Sequence, residues 1–377
     1  MKITGLQTFV VDAGGGNWVF VKVHTDQDGL TGLGEGTVTS KAQTIAAAIQ
    51  EHERFLVGRD PFNIEWLWQA MYRYARWRGG PALNSAISAI EMALWDIKGK
   101  ALGAPVWQLL GGAARERIRL YSHASPHGEA GMRRIEELVR LGYTAVKVGP
   151  FAVRDSVVNP TRDVREGAAA IIRMREAVGD DLDILIDAHG LLTPTMAVDF
   201  ARQVAPARPM WLEEATQPED LATLAWVAER SEVPLATGER LFTKWGFNDL
   251  LQQRAVAYIQ PDVSHDGGIL ETKKIAAMAE VKFIEVALHG ASSEVLTAAN
   301  FHVDAGTPNC TIQEHPLGCP WRYEVVHTSC TIEHGYAALP QAPGLGVELD
   351  EAEAAKHPYR ADFRSQHTFA DGSVADA

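Results

Sequence analysis

Three carboxylates open the case for chemistry in this chain. Asp187 closes the apolar run LDILID, Glu213 follows PMWL, and Glu239 follows PLATG, with 26 residues between each and the next. Asp262 comes 23 residues later, His289 27 after that and Glu314 a further 25. Six successive apolar runs thus each finish in a carboxylate or a histidine. A single such acid is more often a helix cap or a solvated loop residue. A regular series instead suggests side chains gathered at one end of parallel strands. Asp187, Glu213 and Glu239 come from three consecutive runs and would repel one another unless a cation neutralised them. An all-oxygen donor set with room for substrate and water suits Mg²⁺, and no His or Cys pair has the spacing of a zinc site. Asp262 beside His289 describes a different device, an aspartate holding an imidazole in one tautomer as a base near neutral pH. His189, two residues beyond Asp187, is expected at the same mouth. His52, His357 and His367 lie away from the predicted mouths. His265 and His315 each follow a better-placed acid and are read as structural.

The elements that position these residues form a series. From about Ile118 the runs IRLYSH, TAVKVG, LDILIDAH, PMWLEEA, PLATGER, AYIQPD, FIEVALH and TIQEH alternate with helical stretches such as 161–178, 196–204 and 270–280. Eight units of this kind predict a closed parallel (β/α) barrel, whose active site lies at the C-terminal strand ends. A doubly wound open sheet rarely needs eight similar units, and Gly32-x-Gly34-x-Gly36 opens no helix in the manner of a phosphate-binding turn. The first hundred residues differ. Strands over 2–11, 18–25 and 30–34 precede helices over 41–56 and 82–102, the latter with Leu83, Ile87, Ile90, Leu94, Ile97 and Ala101 at helical spacing. The expected architecture is an α+β capping domain over residues 1–115, a barrel over 116–334, and a C-terminal segment, 335–377, returning to the cap.

Composition narrows the partners. The formal charge of −13 argues against nucleic acid or an anionic membrane as the main partner, while an anionic small molecule stays compatible through a bound cation. No apolar run approaches the length of a membrane span. Cys310, Cys319 and Cys330 have neither disulfide-framework nor zinc-knuckle spacing, and the opening MKITGLQTFVVDAGGG lacks the apolar core of a secretory signal. A cytoplasmic protein is expected.

With these residues in place, the sequence resembles the enolase superfamily in its mandelate racemase/muconate lactonizing enzyme branch, over essentially its whole length. The resemblance rests on SAIEMALWDIKGKALGAPVWQLLGG, on the strand-end acids and on the closing PGLGVELDE. Within the branch it is closest to D-galactonate dehydratases. The matches there are Asp187-Ala188-His189-Gly190, Gly238-Glu239-Arg240, the run from Gln260 to His265, Ile312-Gln313-Glu314 and the terminal His367…Asp371-Gly372-Ser373-Val374-Ala375. The resemblance implies a modified TIM barrel in which Asp187, Glu213 and Glu239 bind Mg²⁺ and His289, oriented by Asp262, removes the α-proton of a sugar acid. Lys147 and Glu314 would help stabilise the enediolate, and His189 would protonate the departing 3-hydroxyl to give a 2-keto-3-deoxy acid. It also implies a homo-oligomer.

Three departures accompany the matches. Lys147-Val148-Gly149 stands where family racemases carry Lys-x-Lys, which disfavours two-base racemisation, epimerisation or cycloisomerisation against dehydration. Glu214 is followed by alanine, and His289 by Gly290-Ala291-Ser292-Ser293, both at the substrate end. A catalytically silent barrel is the remaining alternative, and the intact ligand set weighs against it. For substrate contacts the candidates are Asn17 and Trp18, after the glycine-rich stretch 14–16, and Arg78 in the second lid-like segment 77–80.

Overall fold

The computed structural model describes residues 1–74, 76–152, 156–362 and 366–376. The chain begins with an antiparallel sheet of β1 (Ile3–Asp12), β2 (Asn17–Thr25) and β3 (Thr31–Glu35), followed by helices α1 (Ala42–Leu56), α2 (Ile64–Tyr74), α3 (Pro81–Leu102) and the single turn α4 (Val106–Leu109). α2 was not anticipated from the sequence. The glycines at 32, 34 and 36 have a packing reason. A Cβ on Gly32 or Gly34 would lie 1.9 Å from the carbonyl oxygen of Ala93 or Ala89, and one on Gly36 would lie 2.4 Å from that of Ser85. β3 therefore rests backbone to backbone on the small-residue face of α3, a distance only glycine permits.

α3 starts with proline in its first turn and ends on Gly103 in the left-handed region. The sequence pattern presents one apolar face, yet the helix is buried on nearly all sides from Asn84 to Ile97, while Leu83 is exposed. The sheet covers one side and the barrel the other. Three of its interior polar residues, Ser88, Glu91 and Asp96, accept backbone amides from elsewhere, as Asp96 does from Leu33 and Leu345.

The barrel follows. Its parallel strands are β4 (Arg117–Ala124), β5 (Ala145–Val148), β6 (Asp183–Asp187), β7 (Trp211–Glu213), β8 (Leu235–Thr237), β9 (Tyr258–Ile259), β10 (Glu285–Val286) and β11 (Gln313–Glu314). All eight predicted runs supply one. Between them stand α5 (Gly128–Arg140), α6 (Pro160–Val178), α7 (Pro194–Val204), α8 (Leu221–Ala228), α9 (Thr243–Gln253), α10 (Ile269–Glu280) and α11 (Glu294–Ala305). The ring closes where β11 pairs with β4 and the Thr311 amide donates to the Val286 carbonyl at 3.0 Å. The eighth strand has no long helix after it. Pro316, Gly318 and Pro320 break the chain there, leaving one turn over Arg322–Val325.

Tyr121, Ala145, Leu185, Trp211, Ala236, Ala287 and Ile312 fill the barrel interior as one layer. Tyr121 and Trp211 meet edge to face with centroids 5.9 Å apart, forming the floor on which the polar mouth stands. The C-terminal segment first pairs Tyr336–Ala338 against the start of β4. It then bridges Val11 through Pro358, and ends as a hairpin of His367–Thr368 with Val374–Ala375 beside Val157. Among the described residues, no helix is long and apolar enough to cross a membrane.

Candidate active site

β6 and β7 are paired with Asp187 opposite Glu213, so parallel register alone brings these two carboxylates side by side. Glu239 follows β8 after Gly238, whose φ of 145° and contact with the Gln260 backbone leave no room for a side chain. One oxygen from each of Asp187, Glu213 and Glu239 lies within 4.8 Å of the others. Asp187 and Glu213 are buried and Glu239 is mostly so. Glu213 takes the Trp211 indole N–H at 3.0 Å on one oxygen and Lys147 Nζ at 3.0 Å on the other. Burial and the neighbouring Asp187 charge push the Glu213 carboxyl up to about 7, with Lys147 opposing them.

Asp187 Oδ2 is buried and accepts no hydrogen bond, although Lys147 Nζ lies 3.4 Å away and His189 Nε2 3.3 Å away. A buried carboxylate oxygen without a donor, facing two further acids, fits a hard divalent cation.

Lys147 stands at the centre of these charges. Besides Asp187 and Glu213 it reaches Glu314 Oε1 at 2.7 Å. Burial works against its charge, but Glu213 and Glu314 outweigh burial and hold its pKa well above the ordinary lysine range. These carboxylates favour its charged form.

On the other side of the mouth, Asp262 and His289 form a parallel bridge beyond the ends of β9 and β10. Asp262 Oδ2 lies 2.5 Å from His289 Nδ1, while Oδ1 accepts the Ser264 amide at 2.7 Å and its hydroxyl at 2.6 Å. The His289 carbonyl accepts from Asn300 Nδ2 at 3.0 Å. His289 Nε2 therefore points away from Asp262, 3.4 Å from Glu239 Oε2 and 3.8 Å from Glu314 Oε2. Burial disfavours an imidazolium here, yet Glu239, Glu314 and Asp262 together raise its pKa well above 6.5. Glu314, fully buried, is held well below the usual carboxylate range, because Lys147 and His289 more than offset its burial.

His189 is half exposed and has φ of 50°, a left-handed conformation held by its amide donating to Asp187 Oδ1 at 2.9 Å. Structure thus brings Asp187, His189, Glu213, Glu239, Asp262, His289, Lys147 and Glu314 together. The other three candidates are placed differently. Asn17 is buried, with its amide exchanging hydrogen bonds with the Arg360 backbone at 2.8 and 3.0 Å. Trp18 is buried in the cap core with its ring 6.2 Å from Phe20. Arg78 is exposed, its guanidinium over Tyr72 at 5.4 Å, and Tyr72 stacks on Trp245 at the start of α9.

Two further side chains that the sequence reading did not name stand among these groups. His123, on β4, lies 2.5 Å from Glu314 Oε1. Its signal was present, since IRLYSH finishes in a histidine like the later runs. Glu214 is buried beside the metal-side acids with φ of 45°, and accepts from Arg240 Nε at 2.7 Å and the Gly238 amide at 3.3 Å. His265, read as structural from the sequence, stands at the edge of the mouth, with its Nδ1 3.8 Å from Asp262 Oδ2 and its ring 6.3 Å from that of His289. His265 Nε2 meets the Thr37 carbonyl of the cap at 2.6 Å, and burial drives His315 down to about 3.

Comparison with known proteins places this geometry. Residues 6–111 match the mandelate racemase / muconate lactonizing enzyme N-terminal domain model, and 131–353 the enolase C-terminal domain-like model. The D-galactonate dehydratase of Ralstonia pickettii is 38% identical over the full length of both chains, and that of Cronobacter sakazakii is 36% identical, also over both full lengths. Among solved structures, an enolase from Pantoea ananatis with bound D-gluconate and Mg superposes with a TM-score of 0.93 at 30% identity, covering 99% of each chain. An Agrobacterium radiobacter enolase with bound Na and L-malate gives 0.92 at 33% over all of both chains.

Proposed function

This chain belongs to the mandelate racemase / muconate lactonizing enzyme family of the enolase superfamily, and from that premise we propose a Mg²⁺-dependent sugar-acid dehydratase. The observation that carries the reading is the placement of two histidines at different edges of one three-acid cluster. His289 Nε2 lies beside Glu239, and His189 Nε2 beside Asp187. Asp187, Glu213 and Glu239 would hold Mg²⁺, which when bound supplies concentrated positive charge for a substrate carboxylate and the anion that develops from it.

The chain's own groups account for the remaining chemistry. An α-proton beside a carboxylate is far too weakly acidic for an imidazole alone, so electrostatic stabilisation of the enediolate must supply several kcal/mol. The Lys147 ammonium contributes to that from within the cluster. Glu314, kept ionised, fixes Lys147 and His123 and takes the Gly290 amide at 2.7 Å. His289 Nε2 accepts the α-proton while Asp262 holds Nδ1. The C–H electron pair becomes the carbon–carbon double bond of the enediolate. As that pair moves to expel the 3-hydroxyl, His189 donates a proton and water leaves. The resulting enol takes up a proton at C3, gives up the proton of its 2-hydroxyl, and becomes the 2-keto-3-deoxy acid. Racemisation needs a second base at the end of β5. Lys147 is engaged by Glu213 and Glu314 at 3.0 and 2.7 Å and Gly149 has no side chain, so elimination with one base is the better fit.

A library of sugar acids that includes D-galactonate and D-gluconate, incubated with the protein and Mg²⁺, should yield a 2-keto-3-deoxy product detected with semicarbazide. Exchange of the α-proton in D₂O on some acid without loss of water would reject dehydration in favour of isomerisation.

A further inference from the structure

Two buried carboxylates of the cap accept backbone amides from the barrel. Glu35 ends β3 and is fully buried. It accepts from the Ser293 hydroxyl at 2.5 Å, the Thr37 hydroxyl at 2.7 Å, and the Leu296 and Ser293 amides at 3.1 and 3.3 Å. Glu91, on α3 and also fully buried, accepts from the Ile269 amide at 2.7 Å, the Leu270 amide at 2.9 Å and the Trp95 indole at 2.7 Å. Each glutamate sits at the start of a barrel helix, Glu35 at α11 and Glu91 at α10. There it satisfies amides with no partner inside the helix and faces the positive end of the dipole.

Those two helix starts are the far ends of the loops that carry the dyad. The loop 262–268 begins with Asp262 and runs into α10, and the loop 289–293 begins with His289 and runs into α11. The cap grips the first loop at three more points. The Thr37 carbonyl meets His265 Nε2 at 2.6 Å, Ser88 Oγ accepts the Gly267 amide at 2.9 Å, and Trp68 donates to the Gly267 carbonyl at 2.8 Å. Burying a carboxylate is costly, and burial raises Glu91 to about 8. α11 already has a barrel cap, Ser293 Oγ accepting the Val295 amide at 3.1 Å, and a serine or asparagine in place of Gly268 would cap α10 at less cost than a buried carboxylate. Carboxylates sent in from another domain make sense where the relative position of the two domains matters.

We infer that Glu35 and Glu91 are positioning residues for proton abstraction: through the starts of α11 and α10 the cap fixes the loops on which His289 and Asp262 are carried. The inference rests on His289 being the base. Every partner of the two glutamates donates, so glutamine keeps their shape while turning an NH₂ group toward donors. Asp96 is the control. It is equally buried and accepts two backbone amides and Lys100, but it ties β3 to the 345 region and not to either loop.

Hydrogen exchange read by mass spectrometry, with the full-length protein, tests this without substrate. Glu35→Gln should speed exchange over residues 289–297 roughly tenfold, and Glu91→Gln over 262–272, with 185–217 unchanged. Mg²⁺ affinity, measured by titration calorimetry with the ion alone, should stay within about twofold of the unmodified protein in both. On whichever of D-galactonate and D-gluconate the unmodified protein converts, kcat should fall up to about a hundredfold with KM nearly constant. The isotope effect of the 2-deuterated acid should rise. Asp96→Asn should lower the melting temperature without these changes. Exchange that is unaltered or raised evenly across the chain overturns the inference, as does an unchanged kcat and isotope effect in a variant with loosened loops. If neither acid is converted, the exchange pattern alone judges the cap, and the dehydratase reading is judged by the full sugar-acid library. If His289→Asn turns over normally while the loops loosen as expected, the base assignment is at fault.

Discussion

The two halves of the mouth are built by different means. On the metal side, Asp187 and Glu213 are the last residues of paired strands, and a barrel lysine supplies their counter-charge. The aromatic layer of Tyr121 and Trp211 supports them from below. On the base side, β9 and β10 are short, and Asp262 and His289 lie beyond them on loops tied down by cap residues Glu35, Thr37, Ser88 and Glu91. The barrel thus assembles the three-acid cluster by itself, whereas His289, the proposed base, is carried on a loop held by both domains. Ligands need fixed mutual distances, which a ladder of parallel strands gives. A base must also meet a substrate that arrives under the cap, so its registration to the cap has functional value.

The strongest way to break that comparison is to disable each half and ask whether the other notices. His289→Asn should lower kcat by about a thousandfold while leaving Mg²⁺ affinity as it was. Asp187→Asn should weaken Mg²⁺ binding severely, yet leave hydrogen exchange over 262–272 and 289–297 unchanged. Loss of Mg²⁺ binding in His289→Asn, or loosened base loops in Asp187→Asn, would show that the halves are one unit.

Lys147→Met sharpens the same contrast within the metal side. Removing the ammonium leaves Asp187, Glu213 and Glu314 buried without their shared cation, a loss of about 3–5 kcal/mol. Added Mg²⁺ should restore part of that in urea unfolding, since it replaces the missing positive charge among the first two. An equal deficit with and without Mg²⁺ would mean that Lys147 and the ion do not share a site.

The metal side was also the more legible half in the sequence. Asp187, Glu213 and Glu239 recur at one barrel unit, and parallel strands convert equal spacing along the chain into proximity at the mouth. His123 carries the same signal at the end of β4, two strands before the series of acids begins. Glu35 and Glu91 had no signal of their own. Glu35 and its partner Ser293 are 258 residues apart, and an acid at the end of a cap strand looks solvent-facing until the barrel is placed on it. The glycines at 32, 34 and 36 were visible as punctuation, but their cause is the approach of α3, which only the packed structure reveals. Stretch 14–16 resembles a lid in sequence because a hairpin turn and a mobile loop use the same residues. In the structure Asn17 and Trp18 begin β2 there.

A smaller effect should separate the halves by pH. His302 lies on α11, the helix that follows the base, and ties it to α4 and the C-terminal segment. The Trp107 amide donates to its Nδ1 at 3.2 Å, and its Nε2 faces the Leu345 carbonyl at 3.3 Å. These partners specify a neutral ring, and burial lowers its pKa from 6.5 to about 4. Below about pH 6.5 the unfolded chain binds a proton at this position that the folded chain refuses. Its contribution to stability is therefore complete above that pH and is lost as the pH falls toward 4, at most about 1.4 kcal/mol per unit. His302→Gln keeps one acceptor and one donor but does not titrate, so its unfolding free energy should fall less steeply over that range. Matching slopes for the two proteins would show that His302 is not a source of acid sensitivity.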